Sequence, residues 1–513
     1  MAVSTIDQSV PVAQSIEAVY PPEAVQTQQK RWSRLSSHFS EIYGHSPNFI
    51  ARSPGRVNII GEHIDYSLYE VLPMAIAADV IIAVSTSKAT EAAKVNISNI
   101  DPNKFKSSEF TISASGEVEI DPSTHEWTNY FKAGVRGAMG LLREKASAPK
   151  ACSMKVLIDG TVPSGGGLSS SAAFVCASAL AVLRANGQKH VLKKELVELA
   201  IVSERAVGVN SGGMDQAASV FSIRGDALSV SFSPQLHAEA IAFPKTDPAI
   251  TFMIAQSFVA ADKHVTAPVC YNLRVVECTL AAEVLASKLK LKLKDDSGPL
   301  GRSLRGLEDA YFSGEDSLSP VERLKKMRSL VTETLSAKSG YTREQIADSL
   351  DTSVADLEKR FMEKFPVRAE RFLLQQRALH VFEEALRVSN FKSLLQSAPS
   401  EAESHEDLLK KLGDLMNQTQ DSCRDLYDCS CPELDDLCMI ARKAGAYGSR
   451  LTGAGWGGCS VHLVPKDKVD AIRSAWEKDY YHEKVPDISE GKLGEAIVTS
   501  EPGHGSMIIE LSC

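Results

Sequence analysis

The chain has 513 residues, beyond the usual size of one hydrophobic core, so two domains are expected. With 43% hydrophobic and 24% charged residues it has the composition of a soluble globular protein. The formal net charge of −9 argues against nucleic acid as a partner, because phosphate backbones reward clustered Lys and Arg.

The first 25 residues lack a basic start and a continuous apolar core, so they read as part of a flexible tail over residues 1–27 rather than a signal peptide. Amphipathic Gln28–Tyr43 follows. Strand-like residues over Ile50–Ile60 surround a Pro54-Gly55 turn, and Leu72–Thr86 is again β-rich. The apolar run Val71–Val84 is broken by Pro73 and Asp79 and falls short of a membrane span, so no membrane partner is expected. Trp127–Leu142 reads as a helix. Met154–Ile158 reads as a strand closed by an Asp159-Gly160 turn, and Ser171–Leu183 as a largely buried helix. Lys193–Arg205 is amphipathic, and Ala227–Phe232 alternates like a strand.

The second half opens with a β-type run, Ile250–Gln256, and a long helix, Tyr271–Leu293. Residues 294–351 read as a polar insertion. Helical sequence resumes at Ala369–Val388 and Glu406–Tyr427, and strands are expected at Val461–Val464 and Ser506–Leu511. These elements predict an α+β fold of two units, 28–234 and 235–513, with the site in the cleft between them. The ten cysteines are scattered, and the closest pair, Cys429 and Cys431, lacks C-x-x-C spacing. Reduced thiols in a cytoplasmic chain, with no bound nucleic acid, are the expectation.

Three stretches carry chemistry. Thr161–Phe174 (TVPSGGGLSSSAAF) joins a strand to a helix through Gly165, Gly166 and Gly167, with Ser169, Ser170 and Ser171 at the helix start. Three glycines are either a flexible turn or a close backbone approach to a ligand. Free N–H groups at a helix start form a natural anion site. A Walker A loop is excluded, because no Lys-Ser/Thr pair follows the glycines. Ser53–Tyr66 concentrates Arg56, Glu62, His63 and Asp65 among Val57, Ile59, Ile60 and Ile64, a mixture suited to a buried ion pair or to a site that hydrogen-bonds many hydroxyls. Leu451–Cys459 (LTGAGWGGC) is a second glycine-rich loop, either a tight turn or a cover over the first. Asp215 follows Gly212-Gly213-Met214 and fits a helix N-cap. Glu204 fits a surface charge or, with Ser170, a pair of hard oxygen donors for Mg²⁺.

Together the three stretches resemble the signature motifs of the GHMP small-molecule kinases, and GRVNIIGEHIDY (Gly55–Tyr66) resembles the galactokinase branch in particular. The likeness runs from about residue 48 to the C-terminus, omitting the insertion, and Tyr66–Ile76 is similar to fungal galactokinases. The resemblance implies the two-domain GHMP kinase fold, ATP as co-substrate, Mg²⁺ as cofactor and transfer of the γ-phosphoryl to the C1 hydroxyl of galactose. It implies Asp215 and Arg56 as the catalytic pair, and Arg56, Glu62, His63, Asp65, Gly213, Asp215 and Tyr271 as sugar contacts. It implies Trp127, Ser164, Gly165, Gly166, Gly167, Leu168, Ser169, Ser170, Ser171 and Ala172 around the nucleotide, and Ser170 with Glu204 at the metal. A monomer is expected.

Rival readings within this resemblance are an N-acetylgalactosamine kinase and a galactose- and ATP-binding sensor that engages a transcriptional repressor. The intact Ser169–Ala173 segment and Asp215 favour the enzyme and leave a bifunctional enzyme-sensor open, and the GEHIDY block disfavours mevalonate and homoserine kinases. Galactose is preferred over N-acetylgalactosamine, with Asp65 the expected contact of an axial C4 hydroxyl.

Overall fold

The computed structural model describes residues 8–89, 92–113, 115–121, 124, 126–145, 151–163, 165–205, 207, 212–259, 266–315, 317–397 and 404–511. Its first half is built on a seven-stranded sheet. The strands are β1 (Val12–Ala13), β2 (Phe49–Ile60), β3 (Leu72–Ser87), β4 (Ala93–Asn99), β5 (Ser108–Ile112), β6 (Ser153–Gly160) and a strand from the far end of the chain, Met507–Glu510. In space they run β1, Met507–Glu510, β2, β3, β6, β4, β5.

Alternation along these strands sorts side chains between two layers. Ile50, Ile81, Ala83 and Leu157 pack against α1 (Pro22–Tyr43) through Trp32, Leu35 and Phe39. Ala51, Ile82, Val84 and Val156 join the main core, which contains α2 (Thr128–Lys145), α3 (Ser170–Ala185), α4 (Lys193–Arg205) and α5 (Met214–Phe221). Burial on both faces explains why β3 reads as a nearly continuous apolar run.

The second half carries a four-stranded antiparallel sheet of β9 (Ile250–Gln256), β10 (Gly448–Thr452), β11 (Cys459–Pro465) and β12 (Ile497–Ser500), in the order β10-β11-β9-β12. Its helices include α6 (Tyr271–Lys288), α7 (Leu304–Tyr311), α8 (Pro320–Thr334), α9 (Arg343–Ser349), α10 (Val354–Met362), α11 (Leu374–Gln396), α12 (His405–Asp425) and α13 (Pro432–Lys443).

Several expectations differ from the structure: Asp159-Gly160 is no turn but the paired end of β6. Within the stretch expected to be a tail, residues 8–27, Val12–Ala13 pair in parallel with Ile508–Ile509, Val19 and Tyr20 are buried, and α1 begins at Pro22. The physical reason is a buried charge cluster. Tyr20 Oη donates to Asp79 Oδ2 at 2.5 Å, and Asp79 also receives Arg31 Nη1 at 2.6 Å and Arg52 Nε at 2.5 Å. Pro54-Gly55 is not a turn. β2 runs straight through it, with a register shift against β3 between Pro54 and Arg56 that absorbs the residue without a ladder donor. The boundary at 234/235 cuts a hairpin, because β7 (Asp226–Ser231) pairs with β8 (His237–Ala242). The 294–351 insertion contains α7, α8 and α9, which bury Leu304, Leu307, Met327, Val331 and Ile346 in the main core.

Candidate active site

Several of the side chains singled out in the sequence converge where β2, the first glycine-rich loop and α5 meet the second glycine-rich loop. Arg56, on β2, is nearly buried and reaches three ways. Its Nε donates to Asp215 Oδ1 at 2.7 Å, Nη2 lies 2.7 Å from the same oxygen, and Nη1 donates to the Gly167 carbonyl at 2.7 Å. Its backbone N–H also donates to the Leu168 carbonyl at 3.1 Å. One guanidinium therefore binds the carboxylate on α5 to the glycine loop.

Asp215 occupies the first turn of α5 after Gly213, whose φ of 116° excludes other residues without strain. A Cβ there would also approach Ile201 Cδ1 to 2.8 Å. The expected N-cap role does not hold, because Gly213 is the cap residue. The carboxylate is turned to Arg56 instead.

The glycine loop lies as a cradle. Gly165 and Gly167 take φ of 75° and 71°, Gly166 is packed beside Cys459, and Leu168 is buried. Ser164 lies outside the described residues. Ser169 is left-handed (φ 60°), and its buried Oγ has no hydrogen-bond partner among the described residues. Ser170 is the first residue of α3, Ser171 follows half-buried, and Ala172 is fully buried. The second loop covers the first: a Cβ on Gly453 would lie 2.9 Å from Gly167 Cα, and one on Gly458 3.1 Å from the Gly166 carbonyl oxygen. Trp127 stacks on Phe174 of α3 at 6.2 Å and 14°, and its Nε1 donates to the Lys106 carbonyl.

On the signature side, Glu62 is buried, ion-paired with Arg450 on β10, and accepts the Gly453 N–H at 3.3 Å. His63 takes φ of 60° and spends both ring nitrogens on protein groups. Nε2 meets the Ala454 carbonyl at 2.9 Å, so it carries a hydrogen, and Nδ1 meets Tyr66 Oη at 3.0 Å. Tyr66 is bonded in turn to Tyr427, and Tyr427 to Cys278 Sγ at 3.2 Å. Tyr271, first residue of α6, packs its ring 5.7 Å from His63.

Asp65 carries a carboxyl strongly altered by its surroundings. Burial first, and the negative charge of Asp215 second, raise it from 3.8 to about 6. Gly212 abuts it so closely that a Cβ would fall on the Asp65 carboxylate. Burial and the nearby charges of Asp65 and Asp215 push the Tyr271 phenol well above its usual value, so it remains a donor.

Glu204, in the last turn of α4, is fully buried and bonded to Gln216, the residue after Asp215. It is not the surface charge that the sequence also allowed. Its charge and that of Asp215 both help raise the buried Cys176 thiol on α3, behind burial itself. Among the described residues no three His, Cys, Asp or Glu side chains form a metal cluster. A divalent ion here would complete its shell with water and phosphate oxygens, as Mg²⁺ prefers; of the two expected oxygen donors, Ser170 opens α3 half-buried and Glu204 is fully buried.

The sequence reading did not reach Arg450, Tyr66, Tyr427, His380 or Glu384. The available signal was weak: an arginine beside the second glycine-rich loop, and Arg377, His380, Glu384 and Arg387 recurring every three or four residues on α11.

The chain matches three family models: the galactokinase galactose-binding signature over residues 37–86, the GHMP kinases N terminal domain over 129–222, and the GHMP kinases C terminal over 404–482. It is 43% identical to the galactokinase of Saccharomyces cerevisiae over 92% of this chain and 93% of that one. It is 41% identical to the galactokinase of Candida parapsilosis over 98% of each. A crystal structure of Lactococcus lactis galactokinase complexed with galactose superposes with a TM-score of 0.65 at 25% identity, covering 93% of this chain and 99% of the other.

Proposed function

Because the chain belongs to the galactokinase family of the GHMP kinases, we propose that its site transfers the γ-phosphoryl of ATP to the C1 hydroxyl of galactose, giving galactose 1-phosphate and ADP. The observation that carries the residue assignment is Arg56, which holds Asp215 and the phosphate loop with one guanidinium.

Asp215 is the proton acceptor. Held by Arg56 at one carboxylate oxygen, it receives the C1 hydroxyl proton as the oxygen attacks phosphorus. Arg56 keeps countercharge beside Asp215 and beside the loop that would carry the phosphates, so charge moving between them stays compensated. Most of the acceleration comes from alignment and neutralisation, as phosphoryl transfer requires. The amides of Gly165–Ser171 and the Ser169 hydroxyl supply donors to the phosphates. The aromatic platform of Trp127 and Phe174 suits the adenine ring. Mg²⁺, held by Ser170 and Glu204, would neutralise phosphate charge when bound.

Asp65, Glu62, Gly213 and Tyr271 line the sugar side. His63 braces it from behind, because both of its ring nitrogens are engaged. Asp65 is our candidate for the axial C4 hydroxyl, and a sugar lacking that hydroxyl would leave a buried carboxyl without its partner. A coupled ADP-release assay with galactose, N-acetylgalactosamine and glucose tests this. The highest kcat/KM is expected for galactose, and a higher value for either other sugar would contradict the substrate assignment.

A further inference from the structure

The turn that carries Glu62, His63 and Asp65 is conformationally costly. Gly61 takes φ of 109° freely, but His63 at φ of 60° is strained, and strain of this kind persists only where the surroundings over-determine it. The surroundings are one face of α11. Glu384 Oε1 accepts the N–H groups of both Gly61, at 2.8 Å, and Glu62, at 3.1 Å. One turn earlier, His380 Nε2 donates to the Glu62 carbonyl at 3.0 Å, while its Nδ1 accepts from Ser422 Oγ at 2.9 Å. The second Glu384 oxygen accepts Arg387 Nε at 2.7 Å and Thr419 Oγ1 at 2.8 Å.

Glu384 is fully buried, and all four of these donors converge on it. Burial alone would raise its pKa, but the charges of Arg387 and Arg450 outweigh burial and hold it down at about 2. A buried ion pair is poor value for stability alone, since well-packed apolar residues commonly do as well. What an ionised carboxylate does here that an apolar side chain cannot is receive two adjacent backbone amides at a left-handed turn.

We propose that Glu384 is a positioning residue for phosphoryl transfer: by receiving the Gly61 and Glu62 amides it fixes the direction in which Glu62 and Asp65 face the sugar. His380 completes the clamp from the carbonyl side. The role rests on the sugar-kinase reading above, and Glu384 acts through the turn without touching substrate.

Glu384→Gln tests it, because glutamine keeps the shape but offers one acceptor oxygen where four donors converge. KM belongs to the folded molecules, so a merely structural role would lower Vmax and melting temperature and leave KM in place. The clamp instead predicts that KM for galactose rises roughly tenfold or more while KM for ATP stays within about twofold. Thr419→Val removes one donor at nearly constant volume, and it should raise KM for galactose in the same direction by about two- to fivefold. This variant carries the test if Glu384→Gln does not fold. An unchanged KM for galactose in the folded variants, beside an active wild type, would overturn the role of Glu384 alone. A wild-type chain that binds no galactose in titration calorimetry would overturn the sugar-kinase reading, and this role with it.

Discussion

Replacing Gly453 by alanine adds one carbon at the contact between the two glycine loops. The residue has φ of 92°, where an L side chain is strained by about 1–2 kcal/mol. The new Cβ would lie 2.9 Å from Gly167 Cα and closer still to the Gly167 carbonyl, the group that Arg56 Nη1 holds. Ordinary carbon contacts begin near 3.5 Å, so the loops must part by roughly 0.6 Å or more. Overpacking of this size costs about 1–3 kcal/mol, and the displaced element is the one that would align the phosphates. A misplacement approaching 1 Å costs on the order of 10² in rate, so kcat/KM for ATP should fall by about that factor. The assay is initial-rate kinetics with ATP varied at saturating galactose, beside a thermal melt. Gly445→Ala is the control: φ there is 113°, but the added carbon meets only the Lys468 side chain, so it shares the strain without the contact. Wild-type ATP kinetics in Gly453→Ala, or an equal loss in Gly445→Ala, would refute the argument.

Asp215→Asn removes the proposed proton acceptor at nearly constant shape. It should cut kcat by roughly 10²–10⁴-fold with sugar and ATP binding retained in calorimetry, and near-wild-type kcat would remove Asp215 from its role. Asp65, raised from 3.8 to about 6, keeps a proton in the folded chain that the unfolded chain has already lost between those values. Its contribution to the stability of the free protein therefore falls as pH rises from 3.8 to about 6. Galactose affinity should move the other way, weakening as pH drops through about 6, because the ionised carboxylate accepts hydroxyl hydrogens better. Calorimetric titrations across that range check this, and a profile in Asp65→Asn as steep as wild type would count against it. Ser170→Ala should raise the Mg²⁺ concentration needed for half-maximal rate, and an unchanged metal titration would argue against a ligand role.

Much of the site could be read from the chain because its parts are local. Gly165–Ser171 and Gly453–Gly458 are short runs whose glycines have no use in a regular element, and the structure folds one onto the other. The same locality made β9 and α4 legible at their observed limits. Elements failed where the stabilising partner lies far along the sequence. Tyr20 gives no sign of its bond to Asp79, and without that partner residues 8–27 read as a tail. Pro54-Gly55 looks like a turn, because the sequence does not reveal that neighbouring strands hold β2 extended through it. Glu384 lies more than three hundred residues from the turn it braces, and a charged position on a helix reads as solvated until the turn is set against it. His63 shows the opposite limit. Its presence in the signature was plain, but only the fold reveals that Ala454 and Tyr66 occupy both of its nitrogens.

In the proposed reaction a single hydroxyl, at C1, is delivered to Asp215 beside the phosphate loop. Phosphorus NMR of the product formed from galactose and MgATP tests it most directly. One new phosphate monoester resonance is expected, split by the anomeric proton and growing in step with ADP. A resonance coupled to the C6 methylene protons, or inorganic phosphate as the sole partner of ADP, would contradict it.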